Sequence, residues 1–178
     1  MTFSKGGQTA PGQPGRWWRV TGGVETITVR APRADDRWPL VDVHVRARRS
    51  YYEGYLPEEE LADWERAIRA TGYDFTRPGR VWLCADLDGG PVGFALVTPD
   101  GELLQLQVDP AHWGRGVGHA LHEAALAELR GLGLTTARLD VFAGNERARA
   151  FYTAHGWREV GRTDEAPAHV RMARDLHL

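Results

Sequence analysis

The sequence predicts an α+β fold, α/β in the broad sense: a mixed, mostly antiparallel sheet of six to seven strands with about four helices packed on it. Three observations carry this. Residues 80–108 hold three short apolar runs separated by Asp-Gly and Pro-Asp-Gly turns, which reads as an antiparallel meander. Four other segments read as helices, two by apolar residues at helical spacing, one by its cap and terminating glycine, and one of ambiguous period by the placing of its charges. The order of elements is strand, two helices, three strands, helix, strand, helix, two strands, with no internal repeat or linker to split it.

Residues 1–22 are rich in Gly, Pro, Gln, Ser and Thr, so a flexible tail is expected there, followed by one domain over 23–178. Val24 to Arg30 alternates as a strand. Ala34 to Arg49 has an ambiguous period, and its acidic start and basic end favour a helix by the dipole. Tyr51 to Tyr55 reads as an aromatic-rich turn. Pro57 to Ala70 is a helix, with Pro57 at its start, three glutamates in its first turn and a stripe of Leu61, Trp64, Ala67 and Ile68. The meander strands are Arg80 to Asp86, Pro91 to Thr98 and Glu102 to Val108. A helix from His119 to Arg130 buries Leu121, Ala125, Leu126 and Leu129, and Gly131 and Gly133 stop it. Thr135 to Phe142 is a strand. Asn145 caps a short helix that ends at Gly156, and Trp157 to Gly161 and His169 to Asp175 are closing strands.

Bulk composition narrows the function classes. The chain has 178 residues, enough for one domain with a real core. With 22 basic and 24 acidic side chains its net charge is −2, which implies no general pull toward nucleic acid or an anionic membrane. Its one cysteine, Cys84, lies in an apolar run and reads as a small buried hydrophobe. No apolar run approaches the ~18 residues of a membrane span, and no signal-peptide pattern opens the chain, so a soluble cytoplasmic protein is expected.

The richest chemistry lies at 104–121. An apolar strand breaks at Asp109-Pro110, a loop with Gly114, Gly116 and Gly118 follows, and a helix begins. Strand, glycine loop and helix gather free N–H groups that attract phosphate. The same glycines also suit a plain tight turn into a helix. A nucleoside-triphosphate loop is excluded because no Gly-Lys-Ser/Thr follows. A dinucleotide fingerprint is excluded because the preceding strands are hairpins rather than βαβ units.

Taken together, Val108-Asp109-Pro110, then Trp113-x-x-Gly116-x-Gly118, then Asn145, Ala148, Phe151, Tyr152, Gly156 and Trp157 resemble the GNAT superfamily of N-acetyltransferases. The likeness covers about residues 24 to 175. It departs at Trp113, where the family has Arg or Gln, and Arg115 is a candidate to supply that charge. The resemblance implies central parallel strands that splay apart to admit acetyl-CoA. It implies that Leu106, Gln107 and Val108 pair with the pantetheine arm through the main chain. It implies that Gly114, Arg115, Gly116, Val117, Gly118 and His119 hold the pyrophosphate, that Asn145 bonds the pantetheine or nearby backbone, and that Tyr152 lies near the sulfur. Arg147 and Arg149 either assist the phosphates or form a solvated helix face.

The implied reaction is direct attack of a primary amine on the thioester in a ternary complex, the amine belonging to a small molecule, peptide or protein. An ammonium of pKa ~10.4 must first lose a proton. By resemblance the Val108 N–H stabilises the oxyanion. Tyr152, with a phenol pKa of ~10, is protonated at neutral pH and can donate to the leaving thiolate; ordinary packing beside Phe151 is the plainer alternative. Strand alternation puts Leu103, Gln105 and Gln107 on one face and Glu102, Leu104, Leu106 and Val108 on the other. Neither Gln105 nor Gln107 is a base, but both can hold a water that is. The acceptor pocket is expected at Tyr51, Tyr52, Glu53 and Gln105, with Tyr55, Asp164, Glu165 and His169 nearby. His119 and His122 lack a third ligand and read as exposed or capping histidines, so no metal is expected. Paired edge strands make a homodimer an expectation. A non-catalytic acyl-CoA-binding module on the same fold is the competing reading.

Overall fold

In the computed structural model the described residues are 2–6, 17–22 and 25–177. Six strands form one antiparallel sheet in sequence order: β1 (Thr2–Gly6), β2 (Trp17–Gly22), β3 (Glu25–Arg30), β4 (Val81–Leu87), β5 (Gly90–Val97) and β6 (Leu103–Val108). A second sheet has the order β7 (Thr136–Phe142), β9 (His169–Asp175), β8 (Arg158–Arg162), also antiparallel. The helices are α1 (Arg37–Tyr52), α2 (Glu58–Thr71), α3 (Val117–Gly131) and α4 (Glu146–Ala154). From residue 25 onward this is the expected set of seven strands and four helices.

Strands β1 and β2 fall where the composition predicts a flexible tail. The main chain of β2 pairs with β3 instead. Trp17, Trp18, Val20 and Thr21 favour strands, and a composition dominated by nearby Gly and Pro hides them. The Gly- and Pro-rich stretch 7–16 lies outside the described residues.

Each face of the first sheet is covered by a helix. On one side α3 buries Val117, Leu121, Ala125, Leu126 and Leu129 against Val29, Ala85, Ala95 and Val97. That cluster continues into Leu139, Val141, Trp157, Val170 and Met172 of the second half, so one core serves both sheets. On the other side Leu40 and Val43 of α1 meet Trp82, Cys84, Phe94 and Leu96. Helix α1 takes in Tyr51 and Tyr52, which the sequence reading placed in a turn. Pro39 is tolerated because first-turn N–H groups have no intrahelical partner. Among the described residues no helix is long and apolar enough to cross a membrane.

Among the described residues the backbones of the two sheets pair at one corner. Glu102 and Arg138 form an isolated parallel bridge, and the Arg138 N–H donates to the Gly101 carbonyl at 2.9 Å. Beyond that corner β6 and β7 do not pair, and the gap between their edges positions the site.

Strand β6 also carries a bulge. Leu96 faces Gln105 but Val97 faces Leu103, so Leu104 is the extra residue. Strict alternation would place Leu103 with Gln105 and Gln107. Instead Leu103 shares the α3 face with Leu106 and Val108, while Leu104 packs with the α1 cluster.

Candidate active site

The gap between β6 and β7 opens into a cavity of about 650 Å³. Its wall at β6 is set by ladder parity. The Asp109 N–H donates to the Val92 carbonyl at 2.9 Å, and Gly93 lies opposite Val108. In an antiparallel ladder hydrogen-bonded and non-hydrogen-bonded pairs alternate. The main-chain groups of Gln107 therefore serve β5, whereas those of Leu106 and Val108 turn toward the gap. The Val108 carbonyl is taken: the Trp113 indole N–H donates to it at 3.0 Å. The Val108 N–H keeps its direction into the cavity.

At the next corner the chain turns on Gly114 and Gly116, at φ 77° and 87°, a region that costs any residue with a Cβ ~1–2 kcal/mol. Gly116 caps α3 without a side-chain hydrogen bond to the first-turn N–H groups. These groups, unpaired within the helix and set at its positive end, fit an anionic phosphate. Gly114, Gly116, Gly118 and His119 line the cavity. Two residues of the expected phosphate set do not. Arg115 pairs with Asp88 of the β4–β5 turn, Nη2 to Oδ2 3.0 Å. Val117 turns its side chain into the core at 1 % exposure, leaving only its backbone to the helix terminus.

Helix α4 forms another wall. Asn145 accepts from the Ala148 N–H at 3.1 Å, a helix cap that occupies its side-chain oxygen. Tyr152 lines the cavity, packed edge-on against Phe151 and Trp157. Burial, aided by nearby Tyr51, pushes its phenol well above the usual range, so it stays protonated. Gly144, a lining residue the sequence reading missed, has no room for a side chain. A Cβ there would sit 2.7 Å from the Phe142 ring and 3.0 Å from Tyr55.

Opposite lies the acceptor side. Tyr51 and Glu53 line the cavity as expected. The Gln107 amide donates to Gln105 Oε1 at 2.8 Å and approaches the Tyr51 hydroxyl at 3.5 Å. Gln105 thus reaches the cavity through Gln107 and does not line it. Tyr51 is pushed up to about 12, chiefly by burial. Tyr52 is buried behind it, on Phe142, with its hydroxyl 3.3 Å from His169 Nε2. The two α3 histidines also depart from an exposed reading. His122 is fully buried, accepts from the Trp157 indole at 2.9 Å and is lowered in pKa chiefly by burial. His119 Nδ1 lies 3.0 Å from His155 Nε2.

Residues 41–157 match the sequence model of the acetyltransferase (GNAT) family. Among curated proteins, the chain is 36 % identical over 109 residues to the mycothiol acetyltransferase of Beutenbergia cavernae, covering 58 % of this chain and 37 % of that one. It is 33 % identical over 125 residues to that of Propionibacterium freudenreichii, covering 66 % and 40 %. The chain therefore spans about two fifths of the length of these relatives. Among solved structures, the PaiA N-acetyltransferase of Thermoplasma acidophilum in complex with coenzyme A superposes with a TM-score of 0.69 at 20 % identity, over 84 % of this chain and 98 % of that one.

Proposed function

This chain belongs to the GNAT acetyltransferase family, and we propose that it moves an acetyl group from acetyl-CoA to a primary amine by direct attack in a ternary complex. The observation that carries the reading is one continuous cavity. It joins the uncapped start of α3 to the Val108 N–H, the Tyr152 phenol and the Tyr51–Gln107 pair.

Bound acetyl-CoA would supply an activated acyl carbon and a thiolate leaving group. The residues present fit it. The α3 start takes the pyrophosphate. The Leu106 N–H and C=O meet the pantetheine amides. The Val108 N–H, aimed into the cavity, would stabilise negative charge gathering on the acyl oxygen. Tyr152 holds a proton for the departing sulfur. No carboxylate stands on β6 beside the acceptor, so Gln107, held by Gln105, and Tyr51 orient the amine and a water that carries its proton away. The curated relatives are named for mycothiol, and we include a mycothiol-related amine among the candidate small-molecule acceptors. A peptide or protein amine is the other class.

Release of free thiol from acetyl-CoA is the test, with mycothiol-type amines, polyamines, amino acids and peptides as acceptors. The expected outcome is turnover with at least one class. Tyr152→Phe should lower kcat by ~10²-fold or more with CoA affinity nearly unchanged. CoA binding without thiol release from any acceptor would favour a non-catalytic acyl-CoA-binding module.

A further inference from the structure

Three arginines, Arg115, Arg147 and Arg149, are carried by the glycine corner and by α4, and the fold uses them differently. Arg115 is held by Asp88. Arg149 donates to the Ala143 carbonyl at 3.3 Å and lies 3.7 Å from Glu159, on the side of α4 away from the cleft. Arg147 lines the cavity, is exposed, and forms no ion pair with a carboxylate among the described residues. Its guanidinium carbon lies 3.9 Å from the centre of the Trp113 ring. Trp113 in turn is fixed at both ends. Its indole N–H bonds the Val108 carbonyl, and its ring packs on the main core.

We propose that Trp113 and Arg147 form a clamp for the phosphates of the acyl carrier, with the indole as a rigid platform and the guanidinium as the anion-binding group. This deepens the acyl-CoA reading above and rests on it. The loop position just before Gly114 holds an uncharged indole, so the cation that faces the glycine corner comes from α4. An arginine on an open helix face loses much rotamer freedom when it binds. Parked on an indole it has lost that freedom beforehand, and the stack leaves its N–H fork available. The same indole closes the Val108 carbonyl, so one side chain shapes both the phosphate end and the acyl end of the cleft.

Titration calorimetry of the full chain with CoA and with 3′-dephospho-CoA tests the clamp. Arg147→Ala should weaken CoA binding by about tenfold or more, and Arg147→Lys by less. A loss seen with CoA and absent with dephospho-CoA places the guanidinium on the 3′-phosphate; equal losses place it on the pyrophosphate; either supports the clamp. Trp113→Ala should match Arg147→Ala, and the double variant should be no worse than either. Trp113→Phe keeps a ring under the guanidinium and should retain most of the affinity. Arg147→Ala binding both ligands like the wild type would overturn the clamp, whether or not the Trp113 variants fold. A wild-type chain that binds neither ligand would overturn the acyl-CoA reading itself.

Discussion

His44 shows what one buried side chain costs this molecule. It lies in α1 among the rings of Trp64, Tyr73 and Phe94, with its Nδ1 against the Tyr73 hydroxyl. Burial, and then the field of Arg48, lower its pKa to about 3. In the unfolded chain a histidine titrates near ~6.5. Between those values the unfolded chain binds a proton that the folded one refuses. Stability is therefore complete above ~6.5 and falls as the pH drops toward about 3, by up to ~1.4 kcal/mol per pH unit. Buried His122 shifts in the same direction and adds to the slope. His44→Gln should flatten it. Thermal unfolding from neutral to mildly acidic pH should show a smaller fall in Tm for the variant. Equal falls would mean that His44 is not the titrating group. Such a histidine is invisible in the sequence, because nothing local distinguishes an imidazole inside an aromatic cluster from one on a helix surface. By contrast Gly114 and Gly116, expected from the glycine loop, and Tyr152, expected from the family resemblance, all line the cavity.

Helix α4 is an element whose start the sequence states outright. Asn145 caps it through the Ala148 N–H. Asn145→Ala should cost ~1 kcal/mol of stability, read from the denaturant midpoint, and Asn145→Asp much less. An alanine variant as stable as the wild type would show that the cap is dispensable. Strand β6 is the opposite case. Its alternation predicts the wrong partner for Leu103, because the bulge at Leu104 arises from how β6 pairs with β5. Pairing is a long-range property, and a period-two reading carries no information on where a register slips. The consequence for the site was modest. Gln105 and Gln107 still share a face, and Tyr51 at the end of α1 reaches them.

Across the whole molecule the decisive feature is that two sheets share one core and yet part at their edges. A strand pattern alone gives seven strands and four helices but not the parting, which came from the family resemblance. The corner at Glu102 and Arg138 is paired, and the β6 edge beyond it is not. A ligand that bridges this edge to α3 and α4 binds the folded state alone and stabilises it by mass action, by ~2.7 kcal/mol at a hundredfold excess over Kd. Hydrogen exchange should then slow most at the Leu106 and Val108 amides and in the first turn of α3. Uniform slowing across all strands, with no excess at those amides, would mean that the ligand sits elsewhere.

The bond from the Trp113 indole to the Val108 carbonyl also biases the vocabulary of the cleft wall. Along this edge the backbone offers two donors, at Leu106 and Val108, but a single unengaged acceptor, at Leu106. An inhibitor built to lie there should present carbonyl or sulfonyl oxygens toward both residues and just one N–H. A second N–H placed opposite Val108 would have to share its carbonyl with the Trp113 indole.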